Sequence, residues 1–166
     1  WFIKDVEVSS SVGAGIRLVG TGHKLVGVTT TGNLLGLEIE AADNCHIEIH
    51  TEEATGIDVV GDLQASTIHH VAQGCTTAAA DIDKMHGCHY FLTIPSVVGT
   101  NGVIVTSAAA GDMASNVIYL VAHGGATFSG APINLSTAAA NHLNNVYLVM
   151  HSGTTFGNVL FSGTRG

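Results

Sequence analysis

The chain has 166 residues and a mass of 17.0 kDa, with 46% hydrophobic but only 11% charged residues. That length suits one domain with a sizeable core, and such an aliphatic content excludes a disordered chain. Five Lys and Arg against thirteen Asp and Glu, a net charge of −8, exclude nucleic-acid binding through a basic surface.

At the N-terminus, Trp1-Phe2-Ile3-Lys4-Asp5 lacks an initiator Met, a basic start and an apolar leader, so the chain reads as an excised piece of something longer. In the first half, Gly15-Ile16-Arg17-Leu18, Gly36-Leu37-Glu38-Ile39 and Gly56-Ile57-Asp58-Val59 recur. Each is a glycine followed by apolar–polar–apolar alternation, the period of a half-buried strand. A second strand follows each: His23–Val28, Cys45–His50 and Thr67–Val71. From residue 76 the step lengthens, marked by Thr77-Ala78-Ala79-Ala80, Ser107-Ala108-Ala109-Ala110 and Thr137-Ala138-Ala139-Ala140. Tyr119–His123 matches Tyr147–His151, Gly125–Phe128 matches Gly153–Phe156, and Tyr90 takes the corresponding place one step earlier.

Strands recurring in register point to an all-β right-handed parallel β-helix: a single domain over 1–166 of about seven coils, shorter over 1–75 and longer over 76–166. Each coil is expected to add one rung to each of three sheets, about 4.8 Å above the last. Ile16, Leu37 and Ile57 form one inward stack; Leu18, Ile39 and Val59 form another. Glycines, Ala corners and Asn44, Asn116 and Asn145 are assigned to the bends, where left-handed backbone angles are needed. Cys45, Cys75 and Cys88 lack C-x₂-C spacing and read as buried free thiols.

The Gly-Ile-x-Val rungs, the Asn44-x-x-Ile47 bend and the Ala, Thr and Gly corners resemble those of the pectate-lyase-like β-helices, among them the trimeric tailspikes and tail fibres of bacteriophages. The resemblance is architectural. It implies a homotrimer located in the virion tail that binds or cleaves host surface polysaccharide. The leading expectation is a structural, carbohydrate-facing attachment segment. The alternatives are a polysaccharide depolymerase, hydrolase or lyase, and a bacterial surface adhesin or autotransporter passenger.

One pattern supports a trimer independently of the resemblance. Val117–Val121 and Val146–Met150 are apolar at every position, and a strand apolar on both faces is buried on both. Val117, Tyr119, Val121, Val146, Leu148 and Met150 are therefore assigned to an interchain seam. After Asp112 the only charged side chain is Arg165, consistent with a covered surface. These apolar runs are far short of the roughly 20 residues of a membrane helix, so no membrane insertion is expected.

Glycoside hydrolysis needs two carboxyl groups across the scissile bond, and Glu38, Glu40, Glu48 and Asp58 make the candidate acidic patch. The plainer reading is a solvated face with an Arg17–Glu38 pair across rungs, and the stretch offers no aromatic platform for a sugar ring. His46, Glu48 and His50 share one face of a strand, about 7 Å between alternate residues. This metal-ligand chemistry is too widely spread for one tetrahedral ion without a partner chain. No cofactor is expected, because no phosphate-binding loop, nucleophile elbow or catalytic triad spacing is present.

Overall fold

The computed structural model describes residues 1–96, 101–105, 113–135, 144–157 and 161–163. Every regular element among them is a strand: β1 (Phe2–Lys4), β2 (Glu7–Ser9), β3 (Ala14–Thr21), β4 (Lys24–Thr31), β5 (Leu35–Asp43), β6 (His46–Glu52), β7 (Thr55–Gln64), β8 (Thr67–Ala72), β9 (Ala78–His86), β10 (His89–Ile94), β11 (Asn101–Val105), β12 (Met113–Ala114), β13 (Val117–Ala122), β14 (Thr127–Phe128), β15 (Ile133–Leu135), β16 (Asn145–Met150), β17 (Thr155–Phe156) and β18 (Phe161–Gly163). Long strands alternate between two parallel sheets. The first runs β1-β4-β6-β8-β10-β13-β16 and the second β3-β5-β7-β9-β11-β15-β18. The fold is thus a parallel β-solenoid.

Four coils, β3–β4, β5–β6, β7–β8 and β9–β10, follow one another without a break, against the seven expected. Beyond Ser96 the path crosses stretches outside the described residues. Two sheets, not three, carry these coils, because a step of 21 or 22 residues leaves room for two strands and two tight corners. Where the step grows to 28 residues, a small third sheet appears as the β14–β17 pair.

The inward stacks follow the alternation. Ile16, Leu37 and Ile57 pair in register, as do Leu18, Ile39 and Val59, and Ala80 and Ile82 continue the two columns. Leu37, Ile39, Ile57 and Val59 are at most 1% exposed. Removing about 25 cal/mol per Å² of apolar area from water is what drives each coil onto the next.

The corners depart from expectation. Asn44 has a left-handed φ of 51°, but the equivalent residue near Asn116 is Ser115, and Asn145 is the first residue of β16. The residue after each left-handed position performs a different task. Cys45 N–H donates to Ser66 Oγ at 3.0 Å, Ser66 N–H to Cys88 Sγ at 3.4 Å, Cys88 N–H to Asn116 Oδ1 at 2.9 Å and Asn116 N–H to Asn144 Oδ1 at 3.0 Å. Each rung's side chain satisfies a buried donor of its neighbour, which the strand ladders leave unpaired at a corner. Cys45 and Cys88 are members of this column. All three cysteines are free and buried, and burial pushes the Cys75 and Cys88 thiols up to about 11.

The alanine runs are also placed differently. Ala78–Ala80 is the buried start of β9, not a corner, and pairs with Asn101–Val103. Residues 107–110 and 137–140 lie outside the described residues. No helix among the described residues is long and apolar enough to cross a membrane.

Candidate functional site

The two sheets share one apolar core, so their outer faces point away from each other. The four candidate carboxylates are divided between them. Glu38, Glu40 and Asp58 lie on the second sheet and Glu48 on the first. Consecutive strands of a coil enter different sheets, which separates Glu48 from the rest; the single acidic patch read from the sequence does not exist. Glu40 is further displaced by a bulge, since the register shifts between Ile39 and Ala41.

On the second sheet the outward column is Arg17, Glu38, Asp58 and Asp81, the last unnoticed in the sequence. Arg17 Nε lies 2.9 Å from Glu38 Oε1, and its Nη2 bonds Glu40. The first is the expected pair and the second was not foreseen; both lie at the surface and are worth under about 1 kcal/mol. Among the described residues, Asp58 has no such cation. Partial burial, with Asp81, Asp83 and Glu38 adjacent, raises its carboxyl to about 6. Burial is the larger cause, and parallel stacking adds to it by placing like charges one rung apart.

On the first sheet, Glu48 pairs in register with His69. His46 Nε2 donates to Glu48 Oε1 at 2.8 Å and holds that carboxyl below its ordinary range. His50 turns to Glu52 instead, at 3.5 Å. His46, Glu48 and His50 therefore do not converge. Among the described residues no group of three or more His, Cys, Asp or Glu side chains is arranged to hold a metal ion.

The same face carries an aromatic ladder that the sequence reading missed. Glu48, His69, Phe91, Tyr119 and Tyr147 occupy one outward column. His69 stacks on Phe91 at 4.8 Å, Phe91 on Tyr119 at 5.4 Å and Tyr119 on Tyr147 at 4.3 Å, with planes within 12°. Tyr90 is not part of it. It pairs with Ile118, points inward and is 1% exposed. The available signal was a planar side chain at the same offset in each second-sheet-to-first-sheet repeat, hidden by the adjacent Tyr90. The ladder's ring faces meet one another and only its edges face outward, so the middle rings offer no stacking platform to a sugar. An open groove of about 490 Å³ beside it is lined by Thr29, Glu48, His50, His69, Phe91 and Thr93, among others.

The outward set expected in these two strands is half corrected. In β13, Val117, Tyr119 and Val121 do face outward, while Ile118, Leu120 and Ala122 fill the core. In β16, Val146, Leu148 and Met150 pack against the core. Register puts Tyr147 opposite Tyr119 and Val149 opposite Val121, so these two replace them on the outer face, 46% and 47% exposed. An all-apolar strand conceals which alternate set points inward. No protein-family model, curated protein or solved structure matches the chain.

Proposed function

We propose that the chain is a structural segment of a homotrimeric attachment rod of the bacteriophage tailspike or tail-fibre kind, located in the virion tail and facing host surface polysaccharide. The observation that carries this reading is the outer face of the first sheet in the later coils. Val71, Phe91, Val117, Tyr119, Val121, Tyr147 and Val149 form an apolar and aromatic surface where the sequence has almost no charge. A contiguous apolar face of this kind marks an interaction surface, and a closed ring of identical chains covers it without leaving a free end. Stacked rungs under an interchain seam make a stiff rod. Beside the seam, Thr29, Glu48, His50 and Thr93 line the groove with donors and acceptors suited to sugar hydroxyls.

Sedimentation or light scattering at micromolar concentration tests the assembly. A species of three times the 17.0 kDa chain mass is expected, and Tyr147→Glu with Val149→Lys should dissociate it to folded monomers. A wild-type monomer would overturn the seam.

A depolymerase on the same fold is favoured by Asp58 alone, whose carboxyl, beside Glu38 and raised to about 6, keeps its proton to higher pH than an ordinary aspartate. Perturbed acids gather at active sites. Incubation with host capsule or O-antigen separates the readings. Catalysis requires shorter oligosaccharides that Asp58→Asn abolishes. A structural carboxylate column requires no cleavage, and a gain in Asp58→Asn stability at pH 7 of about 1 kcal/mol after allowing for solvent screening. The sign follows because the native state binds this proton more tightly. The penalty is present above pH 6 and disappears as pH falls towards the ordinary aspartate value of 3.8.

A further inference from the structure

The repeated segments Val121-Ala122-His123-Gly124-Gly125 and Val149-Met150-His151-Ser152-Gly153 end the last two described rungs of the first sheet, and nothing in the seam or the groove uses their histidines. Ala122 and Met150 are in register, which brings His123 and His151 to the same corner of successive rungs. Their rings stack with centroids 4.8 Å apart and planes 12° from parallel. Both are exposed. The backbone beneath them is held firmly: His123 N–H donates to Ile94 O and His151 N–H to Ala122 O, each at 2.9 Å, and Thr154 Oγ1 donates to His151 O at 2.8 Å. Among the described residues neither imidazole has a hydrogen-bond or ion-pair partner.

From this geometry we infer that His123 and His151 form a bis-imidazole site for a divalent transition metal of the zinc, nickel or copper(II) class. Two imidazoles on rigid neighbouring rungs are a chelate prepared in advance, so one side chain's ordering is shared by both bonds. The torsion about Cβ–Cγ is broad for histidine. Rotation of each exposed ring out of the stack turns its in-plane lone pair towards a shared ion at about 2.0–2.1 Å. Imidazole nitrogen selects zinc, copper and nickel over calcium and magnesium, which require oxygen. Water fills the other positions. No cation occurs in the chain between Asp112 and Arg165 to repel the ion, and the net charge of −8 attracts it. Bound there, the ion staples one rung to the next.

The test is titration of the chelator-stripped protein with zinc chloride by calorimetry, with thermal unfolding followed in parallel. One ion per chain and a rise in melting temperature are expected. His123→Gln and His151→Gln should each weaken binding at least about tenfold, a loss of about 1.4 kcal/mol, and remove the thermal shift. Both positions are exposed, so the variants should keep the wild-type circular dichroism. Copper(II) bound to the wild type should give an electron paramagnetic resonance spectrum with hyperfine splitting from two nitrogens. Zinc binding that is unchanged in both variants, or lost only in His46→Gln, would overturn the site; so would absence of binding by the folded wild type.

Discussion

Gly56→Ala should destabilise the solenoid, and Gly56→Val should do so by more than about 3 kcal/mol, although alanine normally stabilises a chain by restricting its unfolded state. A Cβ on Gly56 would stand 2.5 Å from Thr51 Oγ1, 2.6 Å from the Ala79 carbonyl oxygen and 2.8 Å from His70 Cε1. Two of those neighbours are buried side chains in one hydrogen-bonded network and the third is backbone of the next rung, so none can move alone. Gly36 and Gly56 are successive members of one column, and a Cβ on Gly36 would meet the Gly56 carbonyl oxygen at 2.5 Å. The column exists because the chain passes so close to the inner polar side chains at this corner. For a chain of this size each kcal/mol shifts the melting temperature by roughly 2–4 °C. Gly13→Ala provides the control. Nothing lies within 4 Å of a Cβ there, and its effect should stay within about 0.5 kcal/mol. Equal melting temperatures for Gly56→Ala and Gly13→Ala would refute the close-approach account.

How far the sequence could be read depended on parity. Where apolar and polar residues alternate, as in Ile16-Arg17-Leu18 or Leu37-Glu38-Ile39, the inward set is unambiguous and the columns form as expected. Tyr90-Phe91 offers two adjacent aromatics and Val146–Met150 an unbroken apolar run, so either phase satisfies the pattern. Neighbouring rungs settle the phase, through pairings such as His89 with Val117 and Val117 with Asn145. A one-residue slip exchanges every side chain between faces, which is why Tyr147 and Val149, not Val146 and Leu148, stand on the outer face. The acidic patch failed for another reason. Glu48 and Glu38 are close in sequence, but assignment to different sheets is a property of coil length, and the bulge at Glu40 is defined only by its partner strand. The aromatic ladder required both phase and register, so it could emerge only from the assembled coils.

His70 should make the solenoid acid-sensitive, and its replacement by leucine should remove that sensitivity. It occupies an inward position between aliphatic residues: Val28, Ile49, His70, Leu92 and Leu120 are successive members of one column. Being 1% exposed, it compensates for burial with two hydrogen bonds, pairing Nε2 with Thr51 Oγ1 at 2.7 Å and Nδ1 with Tyr90 Oη at 2.8 Å. Desolvation, with a smaller contribution from His50, lowers its pKa from 6.5 to about 3. The native state thus refuses a proton that the unfolded chain accepts. Above pH 6.5 the difference vanishes; from there towards pH 3 stability falls by up to about 1.4 kcal/mol per pH unit. Glu53 and Asp58 act in the opposite sense, because burial raises both carboxyls and the native state gains their protons on acidification. The difference between wild type and His70→Leu isolates the histidine from them. Leucine extends the aliphatic column but leaves the Tyr90 hydroxyl without its partner, a penalty of about 1–3 kcal/mol that does not depend on pH in this range. Urea unfolding at intervals from pH 7.5 to 4 should therefore begin with the variant no more stable than the wild type and end with it ahead. Parallel stability curves would show that another group governs the acid limb. Hydrogen exchange should place the first opening at β6, β8 and β10, the strands that Thr51, His70 and Tyr90 join.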